Sequence, residues 1–404
     1  MARLQRLSPS DELRESSRLQ VFETIRAAGQ IARIDIAQAT LISPATVTAI
    51  TADLLAAGMI EEVSPEAAKG AKRGRPRVAL KVRGQAHLIA GMKLSHHAIT
   101  TLITDFEGTE LLCHEIPLPG GQSSPEDLCQ QIQSALNASC AAADLDPADI
   151  SGMAIGMAGV MDADRGFIYW SSSLNQRNVD FGAYLAQHFA MPVFIDNDAN
   201  LVAKAELLFG HGDRHTNFIV VTVEHGVGMG IVINSQIYRG ARGCGAELGH
   251  TKVQLEGALC QCGQRGCLEA YVGDYALLRE ANVTSGVERH RDLASLYAAM
   301  ADGDMMARST LDRAGRMFAM GLANVVNIFD PQMIVLAGAQ LAFGYLSSDK
   351  VIEEMRRWVV QVDAPLPDVR VHGWGNKMWA KGAAAHAIEE VSALRIREVA
   401  NHAG

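Results

Sequence analysis

His250 is followed at short range by Cys260, Cys262 and Cys267, with Gly263 and Gly266 set between the last two cysteines of this 404-residue chain. Nothing else in the sequence restricts the fold as much. Three thiolates and one imidazole satisfy a tetrahedral zinc, and ligands packed this closely demand tight turns, for which the two glycines are suited. The competing reading is a chance cluster of buried free cysteines, which leaves the C-x-C-x4-C spacing unexplained. With all four positions supplied by protein the zinc would be structural, leaving no open position for a catalytic water. It would pin a loop flanked by Glu247 and Glu269. Cys113, Cys129, Cys140 and Cys244 are scattered through helical or strand-like segments as small apolar residues, so no disulfide framework is expected.

A hydrophobic content of 48% with 20% charged residues excludes disordered and fibrous classes, and the length allows two or three domains with real cores. No apolar run of roughly 18 residues occurs, and Arg3 and Arg6 are not followed by an apolar stretch, so neither membrane insertion nor a secretory signal is expected. The expected location is the cytoplasm. Charge is uneven: residues 1–84 carry a net +4, against −9 for the whole chain, which leaves −13 for the rest. The amino-terminal segment is therefore the candidate for contact with a polyanion.

That segment reads as a winged helix-turn-helix. Leu19, Val21, Phe22, Ile25 and Ile31 outline a first helix ending at Ala28-Gly29, and Ile34, Ile36, Ala37 and Ala39 a second beginning near Arg33. Ser43 with Pro44 starts a third, in which Val47, Ile50 and Leu54 share one face. Its other face, with Ala45, Thr48 and Ala49 behind Ser43 and Thr46, lacks bulky side chains and suits a major groove. A plain three-helix bundle is the alternative. Against it, Gly58–Val63 and Val78–Val82 read as strands joined by a basic loop containing Lys69, Lys72 and Arg73-Gly74-Arg75-Pro76-Arg77. Arg73, Arg75 and Arg77 around Gly-Pro resemble an AT-hook core that lies along a minor groove; a solvated linker is the other reading.

From His87 onward, apolar runs at 88–94, 98–105, 152–157, 193–195, 218–223, 230–233 and 333–336 alternate with helical patterns, which indicates α/β architecture with two sheets. Gly245-Ala246-Glu247-Leu248-Gly249-His250, Cys260 to Glu269 and Asp196-Asn197-Asp198-Ala199-Asn200 together resemble the ROK family of repressors and sugar kinases across essentially the full length. The resemblance implies a winged helix-turn-helix at 1–84 followed by a two-lobed, actin-like, sugar-kinase-like fold. Its first lobe would be 85–200, completed by a carboxy-terminal helix at 379–400, and its second lobe, with the zinc loop, 201–378. It also implies that Asn197, Asp198, Glu247, His250 and Glu269 bind a sugar, with His250 holding zinc through its other nitrogen. Carboxylates and amides suit hydroxyls that both donate and accept. Alone, Asp198 also reads as a helix N-terminal acid and Glu269 as an ordinary helix-start residue.

Kinases of the family use an Asp-x-Gly-Gly-Thr turn and a Gly-Thr-Gly-x-Gly turn to cradle phosphate. Here the first corresponds to Lys93-Leu94-Ser95-His96-His97 and the second to Glu224-His225-Gly226-Val227-Gly228-Met229-Gly230, while Ala337-Gly338-Ala339 departs from a third, double-glycine turn. Bulky imidazoles and a carboxylate there oppose phosphate binding, so Asp198 is expected to be a vestigial base and the chain a sensor without enzyme activity. The expected function is a homodimeric regulator, foremost a repressor of carbohydrate genes, that releases a double-stranded operator on binding a sugar or sugar phosphate. An active sugar kinase with an appended DNA-binding domain, and a repressor controlled by a partner protein, are the alternatives.

Overall fold

The computed structural model describes residues 9–63, 78–285, 290–360, 363, 365–372, 375 and 377–402. The amino-terminal head contains α1 (Pro9–Ala28), β1 (Ile31–Ala32), α2 (Arg33–Thr40), α3 (Pro44–Ala56), β2 (Ile60–Val63) and β3 (Ala79–Val82). Helices α2 and α3 are bent by 117° to each other, the angle of a helix-turn-helix. Ser43 starts α3 by accepting a hydrogen bond from the Thr46 amide at 3.2 Å, with Pro44 next. Val47, Ile50 and Leu54 are buried with Val21, Phe22, Ile25 and Ile36. Ile31, expected on the first helix, instead pairs with Leu80 in a sheet ordered β1-β3-β2, because Gly29 at φ +67° ends α1 before it.

Beyond the head the chain repeats one pattern twice. The first unit has β4 (Leu88–Leu94), β5 (Ala98–Thr104), β6 (Glu110–Pro117), α4 (Pro125–Ala142), β7 (Ile150–Met157), a small sheet of β8 (Val160–Asp162), β9 (Phe167–Trp170) and β10 (Val179–Asp180), then α5 (Phe181–His188) and β11 (Val193–Asn197). After α6 (Asp198–Phe209) come β12 (Phe218–Val223), β13 (Val227–Ile233), β14 (Gln236–Ile237), α7 (Glu269–Val272), α8 (Asp274–Ser285), α9 (Leu293–Ala301), α10 (Met305–Phe329), β15 (Met333–Ala337), α11 (Asp349–Trp358), β16 (Asp368–Val371) and α12 (Lys377–His402). The sheets are ordered β6-β5-β4-β7-β11 and β14-β13-β12-β15-β16. Each is an antiparallel meander continued by two parallel strands.

Burial on both faces explains why the central strands read as unbroken apolar runs. One face of the first sheet packs on α4 and α5, and one face of the second on α7, α10 and α11. Helices α6 and α12 fill the space between the sheets, where Trp379 is buried beside Val202, Val220 and Val335. Their crossing needs a glycine: a Cβ on Gly382 would lie 1.9 Å from the Leu201 carbonyl oxygen. The same α12 continues to the head, whose core is shared with Ala387, Val391 and Ile396. Arg26 of α1 donates to Ser392 at 2.9 Å and lies over Phe22 and over Phe106 of the first unit.

Cys129 and Cys140 are buried in α4 as expected; Cys113 is exposed on β6 and Cys244 lies in a loop, so these two do not serve as core residues. No single described helix is long and apolar enough to cross a membrane; the apolar pair α2 and α3 uses its apolar face for the core of the head.

Candidate functional site: a carboxylate-rich cleft and a cysteine-histidine cluster

The two units meet at a cleft whose floor is the start of α6. All five sugar candidates, Asn197, Asp198, Glu247, His250 and Glu269, line it. Asn197 caps α6, its side chain accepting from the Ala199 amide at 2.9 Å and donating to the Gly159 carbonyl at 2.9 Å. Cap duty thus belongs to Asn197, although Asp198 Oδ1 also accepts from the Ala199 amide at 2.9 Å. Beneath them Asp196 is 1% exposed and anchored by Arg239 from the other unit, the Nε bond being 3.0 Å. Glu269 begins α7 and does more than start a helix: it accepts from the Val227 amide at 3.3 Å and the Tyr275 hydroxyl at 3.3 Å.

Crowding sets the electrostatics. Burial, reinforced by the charge of Glu224, raises the Asp198 carboxyl to about 6. Burial with Asp198 and Glu269 nearby raises Glu247 to about 7. At the opposite end Lys93 Nζ donates to both oxygens of Glu224, at 2.9 and 2.7 Å, and lies 3.7 Å from the centre of the Trp379 ring. Above this pair the rings of His96 and His225 are 4.3 Å apart. Burial and the neighbouring His225 and His97 lower His96 to about 4, so its imidazole is neutral near pH 7.

Lys93 and Glu224 are the two residues whose signs looked out of place in the sequence, and each answers the other across the cleft. The second turn is also shorter than expected. Strand β13 already begins at Val227, so Gly228 and Gly230 lie inside it, where a Cβ would meet Ala199 of α6 at 3.0 Å or its carbonyl oxygen at 2.5 Å. These two glycines admit a helix.

The donor atoms of His250, Cys260, Cys262 and Cys267 lie within 4.8 Å of one another. Cys262 Sγ and Cys267 Sγ are 3.8 Å apart, and Cys260 Sγ is 3.7 Å from His250 Nδ1. A tetrahedron with metal–sulfur bonds of about 2.3 Å has sulfur–sulfur edges of about 3.8 Å. Chemistry and spacing therefore fit a zinc ion, with Nδ1 as the imidazole donor and Nε2 free to turn towards Glu247, whose carboxylate is 4.0 Å away. Gly263 and Gly266 adopt φ +90° and +76°, as ligand crowding requires.

Several cleft residues had escaped sequence reading. Trp170 at the end of β9 lies 6.3 Å, ring to ring, from His250, and Ser172 and Ser173 follow it along the wall. An aromatic residue before a serine run was the available signal. Gln261, between two cysteines, reaches His225 at 3.2 Å. At the head, Ser43, Thr46, Thr48 and Ala49 are exposed on α3 as one small polar face. Lys69, Lys72, Arg73, Arg75 and Arg77 lie outside the described residues.

Two five-stranded units of identical strand order, closing on a cleft at the start of an interposed helix, define the actin-like, sugar-kinase-like class. The chain belongs to the ROK family, whose model matches residues 89–390. The xylose repressor of Caldicellulosiruptor bescii is 29% identical over 352 residues, covering 84% of this chain and 87% of that protein. The glucokinase of Streptomyces coelicolor is 29% identical over 320 residues, covering 75% and 98%. The crystal structure of a ROK family transcriptional regulator, a homologue of the E. coli MLC protein, has a TM-score of 0.80 at 25% identity and covers 96% of this chain and 99% of that one.

Proposed function

We propose that the chain is a sugar-responsive DNA-binding regulator, foremost a repressor, in which residues 1–84 grip duplex DNA and the two α/β units sense a carbohydrate. The observation that carries this reading is the continuity from cleft to head: α6 begins at Asp198, crosses α12 at Gly382, and α12 shares a core with α1. The xylose repressor is similar over 84% of the chain, and the MLC-like regulator over 96%, a share that must take in most of the head.

Asn197, Asp198, Glu247, His250 Nε2 and Glu269 bind the hydroxyls, and Trp170 offers an apolar wall to the ring. His250 Nδ1, Cys260, Cys262 and Cys267 hold a structural zinc, which fixes the loop that presents Glu247 and Glu269. Ser43, Thr46, Thr48 and Ala49 face the major groove, and Arg73, Arg75 and Arg77 the backbone or minor groove. Two heads related by a two-fold axis read half-sites about one helical turn apart, which makes the working form a homodimer. Sugar binds more tightly to the conformation that does not fit DNA, and DNA weakens sugar binding by the same factor.

The test is fluorescence anisotropy of the full chain on duplex fragments from its own upstream region, with and without a sugar panel. Sugar-dependent release is expected; indifference to duplex DNA at low ionic strength under every condition would overturn the proposal. An active sugar kinase is the second reading, favoured by the glucokinase similarity and the retained Asp198. Turnover of ATP with any hexose at about one per second or faster would establish it.

A further inference from the structure

Resting on the regulator reading, we infer that the effector is an unphosphorylated sugar, and that the Lys93–Glu224 pair is the element that rejects sugar phosphates. Among the described residues lining the cleft, Lys93 is the one lysine or arginine, set against Asp198, Glu224, Glu247 and Glu269. Its ammonium is already committed. Two N–H bonds go to the two oxygens of Glu224 and the aromatic face of Trp379 covers it, with 5% of the side chain exposed. A phosphate monoester carries close to two negative charges near pH 7 and is recognised by arginine, lysine or clustered backbone amides.

Four amides at the edges of the two turns are committed too. At the first turn, Ser95 N donates to the Ala98 carbonyl at 2.9 Å and Ala98 N to the Ser95 hydroxyl at 3.1 Å. At the second, Glu224 N donates to the Gly226 carbonyl at 2.9 Å and Val227 N to Glu269. The His96 imidazole, neutral and tilted against the His225 ring, contributes no positive charge. A dianion entering this end would meet Glu224 and Asp198 with no uncommitted lysine or arginine, in a partly buried cleft where charge repulsion is less screened than in open water. Neutral hydroxyls meet no such barrier: carboxylates accept from them directly.

Isothermal titration calorimetry on the full chain decides the matter, with glucose, mannose, N-acetylglucosamine and xylose, each against its terminal phosphate ester. At least one parent sugar is expected to bind, with its ester weaker by about tenfold or more. Glu224→Gln, which frees the Lys93 ammonium, should narrow that gap by strengthening the ester. If the variant does not fold, the native panel alone is decisive. An ester that binds as tightly as its parent sugar, or more tightly, overturns the inference while leaving the sugar-sensor reading intact. A chain that binds neither class overturns the sensor reading and the inference together.

Discussion

Asp198 illustrates what a single carboxylate in this cleft does to the whole chain. Its raised pKa means that the folded state binds more protons than the unfolded one between about pH 4 and 6. Stability from this group is therefore greatest below about pH 4, falls as pH rises through that window, and stays lower above it. Asp198→Asn keeps the shape and removes the buried charge. The variant should be more stable than the native chain by ~2–3 kcal/mol at pH 8, with the two converging near pH 4, as read by chemical denaturation at both values. Its sugar affinity should fall about tenfold to a hundredfold, since a charged acceptor is lost. Equal stability at pH 8 would mean that Asp198 is solvated instead of crowded.

On the regulator reading, two elements would carry information out of the cleft. The first is the cysteine-histidine loop. Zinc analysis of the full chain should give about one ion per chain, and Cys262→Ser should lower that content and speed amide exchange across 247–269. Unchanged exchange in that loop would argue that it is held by its bridges Lys252–Cys267 and Leu259–Arg265 alone. The second is the α6–α12 crossing. Gly382→Ala places a methyl group against the Leu201 backbone, so the helices must separate, at a cost of ~1–3 kcal/mol. Since α12 reaches the head, that separation should also blunt the effect of sugar on DNA binding. A variant with native stability and native sugar response would show that the crossing is not the route.

At the scale of the whole molecule, the positive amino-terminal segment and negative remainder divide the labour. The logarithm of DNA affinity should fall linearly with the logarithm of salt concentration, with a slope reflecting several phosphate contacts. Replacing Arg73, Arg75 and Arg77 by alanine should flatten the slope by up to about three units, and an unchanged slope would remove those arginines from the interface. A coupling between sugar and DNA of ~1–3 kcal/mol corresponds to about a 5- to 150-fold change in either affinity, measurable from both sides.

Periodicity and ligand chemistry are local properties, and they made much of this protein legible from its sequence: the head helices, the buried strands and the cysteine-histidine cluster, while the cleft carboxylates were picked out by the resemblance to the ROK family. The edge strands β6 and β16 were not, because an exposed strand at a sheet margin has no continuous apolar run to announce it. Nor could the sequence place Ile31 in a strand, since its partner Leu80 lies far along the chain. Lys93 and Glu224, 131 residues apart, each resembled a defect in a phosphate turn. Only the packing of two sheets around α6 and α12 turned them into one ion pair, because charge compensation depends on distance in space, to which separation along the chain is no guide.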